Sequence, residues 1–291
     1  MIPEEVLRKI HLLHIRTKHL VNDVMAGEYE SAFRGRGMEF EEVREYQAGD
    51  DVRSIDWNVT ARMGRPFLKL YREERELIVM LLVDISGSGQ FGSRNKLKRE
   101  VAAEVAALLA YTAIRNNDKV GLILFTDRVE KYVPPKKARG HGWRVIREIL
   151  SYEPEGKGTD LAQALEFLGH VATKRCICVL VSDFLATGYD KPLRLATKRH
   201  DMVALAITDP RERELPRVGY VELEDAETGE LMIIDTRDAD FCRQYKTLME
   251  TEVENRKRLF RSMDLDHAFL STHESYVEAL LALFRRREKQ L

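Results

Sequence analysis

Residues 77–92 read LIVMLLVDISGSGQFG and join an apolar run to a polar turn. The apolar run, residues 77–83, is too short to span a membrane and predicts a strand buried on both faces, as in parallel sheets. Asp84 ends the run, and a helical pattern begins at about residue 95. Open α/β sheets bind ligands where such a strand gives way to a helix. We therefore expect a ligand site after this strand.

Three interpretations of the turn compete. The sequence GSGQFG at residues 87–92 matches the dinucleotide fingerprint G-x-G-x-x-G, and its outer glycines also have the spacing of a phosphate loop. Alternatively, Asp84, Ser86 and Ser88 form the pattern D-x-S-x-S. Three oxygen donors from one turn suit Mg²⁺, which prefers hard oxygen ligands.

Charge favours the metal interpretation. A dinucleotide pyrophosphate binds bare backbone amides at a helix N-terminus, and the carboxylate of Asp84 would place a negative charge beside it. The phosphate loop lacks its lysine, because Ser93 and Arg94 occupy the positions of the Lys-Ser/Thr pair. In a metal site, by contrast, the negative charge of Asp84 would favour binding of the ion. A glycine-rich turn without any ligand also stays open on these residues alone.

The composition sets limits on function. The chain has 291 residues, 44% hydrophobic and 33% charged, which is typical of a globular protein with a large core. Its net charge of −1 gives no field that would favour nucleic acid or an anionic membrane. The cysteines, Cys176, Cys178 and Cys242, form no C-x-x-C pair. Cys176 and Cys178 alternate in an apolar strand, where we expect buried free thiols, and we expect a reduced, cytoplasmic protein. We find no membrane span and no signal-peptide pattern.

Further apolar runs alternate with helical patterns and predict the rest of a sheet. The predicted strands are Val120–Phe125, Cys176–Val181, Met202–Ile207 and His267–Thr272. Residues 129–133 predict a hairpin partner that Pro134 and Pro135 end. Strands alternating with helices favour a doubly wound, mostly parallel α/β sheet flanked by helices. Residues 218–236 interrupt this rhythm and predict an inserted β-hairpin.

The N-terminal part of the chain has a different sequence pattern. A helix is predicted over residues 3–25, and a charged segment with spaced aromatic residues follows it. We interpret this segment as an extended collar. The predicted domains are therefore residues 1–75, with the helix and the collar, and residues 76–291, with a hairpin insertion at about 218–236.

Two later positions add oxygen donors to the metal interpretation. Thr159 lies in a glycine-rich loop before a predicted helix, and Asp183 follows a predicted strand. The carboxyl ends of parallel strands meet at one edge of a sheet, so these loops should converge. The predicted metal ligands are Asp84, Ser86, Ser88, Thr159 and Asp183.

This order of residues resembles the metal-ion-dependent adhesion site of von Willebrand factor A-type domains, which implies a von Willebrand factor A-like, Rossmann-like fold. The resemblance implies that Ser86, Ser88 and Thr159 lie nearest to Mg²⁺ or Mn²⁺, and that Asp84 and Asp183 hold its waters or ligate it directly. One coordination position would stay open for a carboxylate from a partner protein. The expected activity is binding rather than catalysis.

The upstream segment resembles the bacterial family called domain of unknown function fifty-eight. The matching residues are Gly37–Phe40, Arg44–Tyr46, Gly49–Trp57 and Ala61–Arg62. Such proteins are commonly encoded beside MoxR-type AAA+ ATPases. The resemblance implies a cytoplasmic, Mg²⁺-dependent interaction module, an adaptor for such an ATPase or for a client protein. The alternative is a metal-assisted hydrolase or a nucleotide-binding protein that uses the Gly87–Gly92 loop, although we find no nucleophile elbow and no ligand-spaced histidine pair.

Overall fold

The computed structural model describes residues 25–33, 38–47, 49–73, 77–93 and 96–289. Residues 3–24 of the predicted N-terminal helix lie outside the described residues. The chain divides into two compact units. One spans Phe33–Leu77, and the described parts of Met1–Ala32 and Ile78–Leu291 form the other.

Helix α1 (Ala26–Ala32) belongs to the larger unit, whereas the sequence placed it with the collar. The reason is packing at long range. The buried ring of Tyr29 lies edge-on to Phe284 with centroids 6.1 Å apart, and its hydroxyl donates to Asp118 at 3.2 Å. Glu28 pairs with Arg285 at 2.8 Å.

The smaller unit contains two antiparallel strands, β1 (Met38–Glu45) and β2 (Phe67–Glu73), with helix α2 (Trp57–Met63) between them. Asp56 caps α2 by accepting hydrogen bonds from the amides of Asn58 and Val59. The helix ends at Gly64, whose φ of 71° is the left-handed conformation that glycine adopts without strain.

The larger unit is a mixed α/β structure around a central six-stranded sheet, with a separate two-stranded hairpin. Its elements are β3 (Ile78–Asp84), α3 (Lys98–Arg115), β4 (Lys119–Phe125), β5 (Val129–Lys136), α4 (Arg139–Ser151), α5 (Leu161–Val171), β6 (Ile177–Ser182), α6 (Asp190–Arg199), β7 (Asp201–Thr208), α7 (Pro210–Arg213), β8 (Tyr220–Glu224), β9 (Leu231–Asp235), α8 (Ala239–Ser262), β10 (Asp266–Ser271) and α9 (Tyr276–Glu288).

The central sheet has six strands in the order β10-β7-β6-β3-β4-β5. All neighbouring pairs are parallel except β4 and β5. The prediction that Pro134 and Pro135 end β5 is wrong, because the strand continues to Lys136. An edge strand tolerates proline, since one side of its backbone needs no sheet hydrogen bond.

Apolar helices cover both faces of the sheet. Met80 and Leu82 on β3 point into a core that α5, α6 and α8 complete, with Leu165 and Phe260 among its buried members. The residues of β3 that alternate with Met80 and Leu82 point to the opposite face of the sheet, where α3 packs. The six-stranded, mostly parallel sheet and its flanking helices confirm the coarse fold prediction.

The order of the strands places a crevice beside β3. The chain leaves β3 toward β4 on one side and later returns to form β6 on the other. Such a reversal of direction at the carboxyl ends of parallel strands is where open α/β sheets bind ligands. β3 ends at Asp84, and β6 ends at Ser182, beside Asp183.

Candidate metal centre

Asp84 is held at the end of β3 by neutral hydrogen-bond donors. Its Oδ1 accepts from the amide of Ser86 at 3.0 Å, and its Oδ2 accepts from the hydroxyl of Ser182 at 2.6 Å. Burial, together with the negative charge of Asp183, raises the pKa of Asp84 to about 6, although these hydrogen bonds lower it. The negative charge of Asp84 is therefore poorly compensated, as expected of a group that faces a cation.

The hydroxyls of Ser86 and Ser88 lie side by side in the turn after β3. Their Oγ atoms are 3.1 Å apart. Adjacent ligands of an octahedral Mg²⁺ are about 3.0 Å apart when each lies 2.0–2.1 Å from the ion. The distance is that of a hydrogen bond between the two hydroxyls, and it also matches the spacing of adjacent ligands in a magnesium coordination shell.

Thr159 belongs to a loop that is tied to this turn. The amide of Gly87 donates to the carbonyl of Lys157 at 2.8 Å. Asp160, rather than Thr159, caps α5, because its Oδ1 accepts from the amide of Gln163 at 2.9 Å. The hydroxyl of Thr159 instead donates to Oε1 of Glu227, on the hairpin β8–β9, at 2.6 Å.

Asp183 faces a buried ammonium. Lys98, only 3% exposed, donates to Oδ2 of Asp183 at 2.7 Å and also to Oε1 of Glu212. Burial lowers the pKa of Lys98, but the two carboxylates outweigh burial and raise it above its ordinary value. The amide of Leu185 donates to Oδ1 of Asp183 at 3.2 Å, so both carboxylate oxygens are engaged.

The backbone after Asp183 adopts a conformation that is rare for its residue type. Phe184 has a φ of 55°, in the left-handed region. Its amide donates to the hydroxyl of Ser182 at 3.0 Å, and its ring packs edge-on against Tyr189 and Phe260. Burial of the ring holds the turn in place and thereby fixes the direction of Asp183.

A second network anchors the turn after β3. Asp209, fully buried after β7, accepts hydrogen bonds from the hydroxyls of Ser93 and Thr272, both at 2.6 Å. The amide of Asp209 donates to Glu212, which pairs with Lys98. The end of β7 thus supports both sides of the crevice.

These residues fit a Mg²⁺ or Mn²⁺ ion. Two hydroxyls have the required spacing, and Thr159 lies in a loop tied to the same turn. A cavity of about 20 Å³, lined in part by Asp84, Ser88 and Asp183, is large enough for a water molecule. Both carboxylates already accept two hydrogen bonds, so they suit the role of holding the waters of the ion better than that of direct ligands.

Four contributors to this cluster were not identified from the sequence. Ser182 directly precedes Asp183, and its place at a strand end was an available signal. Lys98 lies in a helix, where a lysine is usually exposed. Glu212 pairs with Lys98 across 114 residues, and Glu227 bonds to Thr159 across 68 residues. No local sequence pattern predicts such contacts.

The Gly87–Gly92 loop is arranged differently from a phosphate-binding loop. The amide of Gly87 donates to Lys157, and that of Gly89 donates to the carbonyl of Ser86. Helix α3 begins only at Lys98. A phosphate would need free amides at a helix N-terminus, and these two are already engaged.

Cys176 and Cys178 are buried free thiols, as predicted. Their sulfurs lie 3.3 Å apart at the amino end of β6, and Sγ of Cys176 lies 3.4 Å from Nδ1 of His200. This cluster occupies the edge of the sheet opposite to the one where Asp84 and Asp183 lie. The thiols therefore take no part in the candidate metal centre.

A groove opens beside the centre. It has a volume of about 730 Å³ and runs between the loop after β6 and helix α8. Asp183, Glu212 and Arg256 contribute to its wall, as does Leu185, which is 55% exposed. Within the described part of the chain, no helix is both long and apolar enough to cross a membrane.

The fold and the crevice define a mixed α/β protein with a polar centre at the carboxyl edge of a six-stranded, mostly parallel sheet. Residues 42–255 match the family described as protein of unknown function DUF58, and the chain belongs to that family. This match confirms the predicted resemblance to the family called domain of unknown function fifty-eight.

Relatives extend the similarity over most of the chain. Uncharacterized proteins of Mycobacterium bovis and Mycobacterium tuberculosis are 35% identical over 240 residues, which is 80% of this chain and 76% of theirs. Among solved structures, the conserved hypothetical protein BatB from Bacteroides thetaiotaomicron has a TM-score of 0.48 at 16% identity, covering 73% of this chain and 99% of its own. An aerotolerance-related membrane protein from Bacteroides fragilis has a TM-score of 0.47 at 14% identity, covering 74% and 100%. At this level of similarity neither structure assigns a function to the chain.

Proposed function

We propose that this protein is a Mg²⁺-dependent protein-interaction module whose metal centre binds a carboxylate of a partner. The observation that carries the proposal is the paired hydroxyls of Ser86 and Ser88 beside the poorly compensated carboxylate of Asp84. With Thr159 and Asp183 they supply the donors of a metal-ion-dependent adhesion site in a von Willebrand factor A-like sheet.

The chemistry of such a site is binding. Bound Mg²⁺ or Mn²⁺ would supply positive charge at an exchangeable coordination position. Ser86, Ser88 and Thr159 would hold the ion through neutral oxygens, while Asp84 and Asp183 would hold its waters. Neutral direct ligands leave the charge of the ion available, so an incoming Asp or Glu side chain gains a strong interaction.

The proposed partner is a MoxR-type AAA+ ATPase, for which the chain would act as an adaptor, or a client protein delivered to it. This choice rests on the expectation, drawn from the sequence resemblance, that proteins of this family are encoded beside MoxR-type ATPases. We also propose a cytoplasmic location, which the free cysteines support. Recovery of the protein in a washed membrane fraction would contradict this location. The engaged amides of the Gly87–Gly92 loop favour this function over nucleotide binding.

A pull-down with the MoxR-type ATPase encoded nearest to this chain tests the proposal. We expect retention of the ATPase in Mg²⁺ and its loss in EDTA. Ser86→Ala should lose retention, because it removes a metal ligand. Ser151→Ala is the matched control, since Ser151 is exposed on α4 and bonds only to the carbonyl of Arg147 among described contacts. Equal retention in EDTA, or by Ser86→Ala, would exclude a metal-bridged interaction.

A further inference from the structure

The inserted hairpin has little packing of its own. Strands β8 and β9 form a separate two-stranded sheet, an arrangement that is marginally stable in water. Tyr220, Met232 and Ile233 on these strands are 64–72% exposed. The hairpin is fixed at its base by Thr236, a fully buried residue whose Oγ1 donates to the carbonyl of Gly219 at 2.7 Å. Its position therefore depends strongly on what its tip contacts.

The tip lies on the loops of the metal centre. The backbone carbonyl of Ala226 approaches Gly87 so closely that a Cβ at Gly87 would lie 2.4 Å from it. The carboxylate of Glu227 reaches Thr159, with Oε1 2.6 Å from the threonine hydroxyl. Two of the three loops that supply the candidate ligands thus touch the same hairpin.

The tip is also shaped to present one carboxylate. Oδ1 of Asp225 accepts hydrogen bonds from the amides of Glu227 and Thr228, at 2.8 and 3.0 Å, which closes a tight turn. Glu227 is half-buried against the loops, whereas the side chains of its neighbours, including Glu224 and Glu230, are exposed. Among these three glutamates, only Glu227 is turned toward the metal centre.

We infer that Glu227 is a carboxylate ligand which the chain supplies to its own metal centre, at the position that a partner carboxylate would take. This inference rests on the proposed function. A tethered carboxylate competes at an effective concentration of the order of millimolar. A partner that presents Asp or Glu must therefore displace Glu227, and the hairpin leaves the centre when the partner binds.

Binding of Mn²⁺ to the metal-stripped full chain tests this assignment. Glu227→Gln should weaken Mn²⁺ binding by about tenfold or more, because an amide is a poorer ligand than a carboxylate. Glu230→Gln makes the same change of charge on the same hairpin and should bind Mn²⁺ like the wild type. Thermal unfolding of each variant without metal verifies that the fold is kept.

Hydrogen exchange at the tip distinguishes a metal ligand from a purely structural contact, because Mn²⁺ would change the exchange rate only if Glu227 binds the ion. Mn²⁺ should slow exchange of the amides of Glu227 and Thr228 in the wild type and in Glu230→Gln, but not in Glu227→Gln. Tip protection that is independent of Mn²⁺ would make the bond to Thr159 a structural contact and overturn the inference.

The two proposals fail in different ways. Equal Mn²⁺ affinity of the wild type and Glu227→Gln would overturn the inference alone and leave the metal centre in place. Absence of Mn²⁺ binding by the wild type would overturn both. Both proposals are supported if the wild type binds Mn²⁺, Ser86→Ala abolishes this binding, and Glu227→Gln weakens it.

Discussion

Asp84 stands where a buried strand meets a polar turn, and its chemistry follows from that position. Both of its oxygens accept hydrogen bonds from neutral donors. Its pattern with Ser86 and Ser88 is local, so the sequence alone predicted it. The ion pair between Lys98 and Asp183 could not be predicted in the same way, because 85 residues separate its members.

The raised pKa of Asp84 gives the metal-free protein a specific pH dependence. Its pKa is about 6 in the folded state and roughly 3.9 in an unfolded chain, so the folded state binds this proton more tightly. The resulting stability is present below about pH 4 and is lost as the pH rises through 6. In EDTA, the unfolding free energy of the wild type relative to Asp84→Asn should fall by roughly 2 kcal/mol between pH 4 and 7.5.

Urea unfolding at several pH values measures this difference. Saturating Mg²⁺ should remove most of the dependence, because a nearby cation favours the ionised carboxylate. A difference that does not change with pH in EDTA would mean that Asp84 carries no uncompensated charge.

Replacement of Lys98 by methionine should destabilise the protein by about 3 kcal/mol in EDTA, since it leaves Asp183 and Glu212 without their buried ammonium. Mg²⁺ should recover part of this loss. Lys96→Met is the matched control, because its pair with Glu104 is partly exposed, and it should cost no more than about 1 kcal/mol. Equal unfolding free energies of the two variants would contradict the role of Lys98.

The secondary-structure elements were predictable where their apolar pattern was strong. Strands β3, β4, β6 and β7 are apolar runs that form the middle of the sheet, and the hairpin was predicted from its turn. The end of β5 was not predicted, because tolerance of Pro135 depends on its edge position. What the hairpin tip touches was not predictable either, since Gly87 and Ala226 meet only in the folded chain.

Close approach of the hairpin to Gly87 makes that glycine sensitive to substitution. Gly87→Ala would place a Cβ 2.4 Å from the carbonyl of Ala226, so a backbone segment must move. We expect a loss of about 1–3 kcal/mol in unfolding free energy and faster amide exchange at the tip. Gly140→Ala should change stability by less than about 1 kcal/mol, because its Cβ would meet no atom within 4 Å. Unchanged exchange at the tip of Gly87→Ala would exclude this contact.

At the scale of the molecule, the order of the strands brings the candidate ligands together. The alternation of strands and helices predicted the parallel sheet, and the sheet places Asp84 beside Ser182 and Asp183. The assignment of α1 to the larger unit was not predictable, because it depends on contacts between Tyr29 and residues near the other end of the chain. The domains predicted as residues 1–75 and 76–291 differ from the observed units in this helix.

The core beneath the centre should control the stability of the whole larger unit. Phe260 is fully buried on α8, with its ring centroid 5.1 Å from that of Phe184. Phe260→Ala should cost about 3–5 kcal/mol in the free energy of urea unfolding. Phe241→Ala, on the same helix at a position 39% exposed, should cost much less. Similar losses for the two variants would contradict the placement of the core.

The most direct test of the metal centre is the thermal unfolding of metal-stripped protein during titration with Mg²⁺ and Mn²⁺. An ion at one hundred times its dissociation constant should stabilise the wild type by about 2.7 kcal/mol, provided that it binds only the folded state. Ser86→Ala should lose this stabilisation, and neither ATP nor NAD should produce it in the wild type. A wild-type melting temperature that does not respond to either metal, or an equal response from Ser86→Ala, would contradict the centre proposed at Asp84, Ser86, Ser88, Thr159 and Asp183.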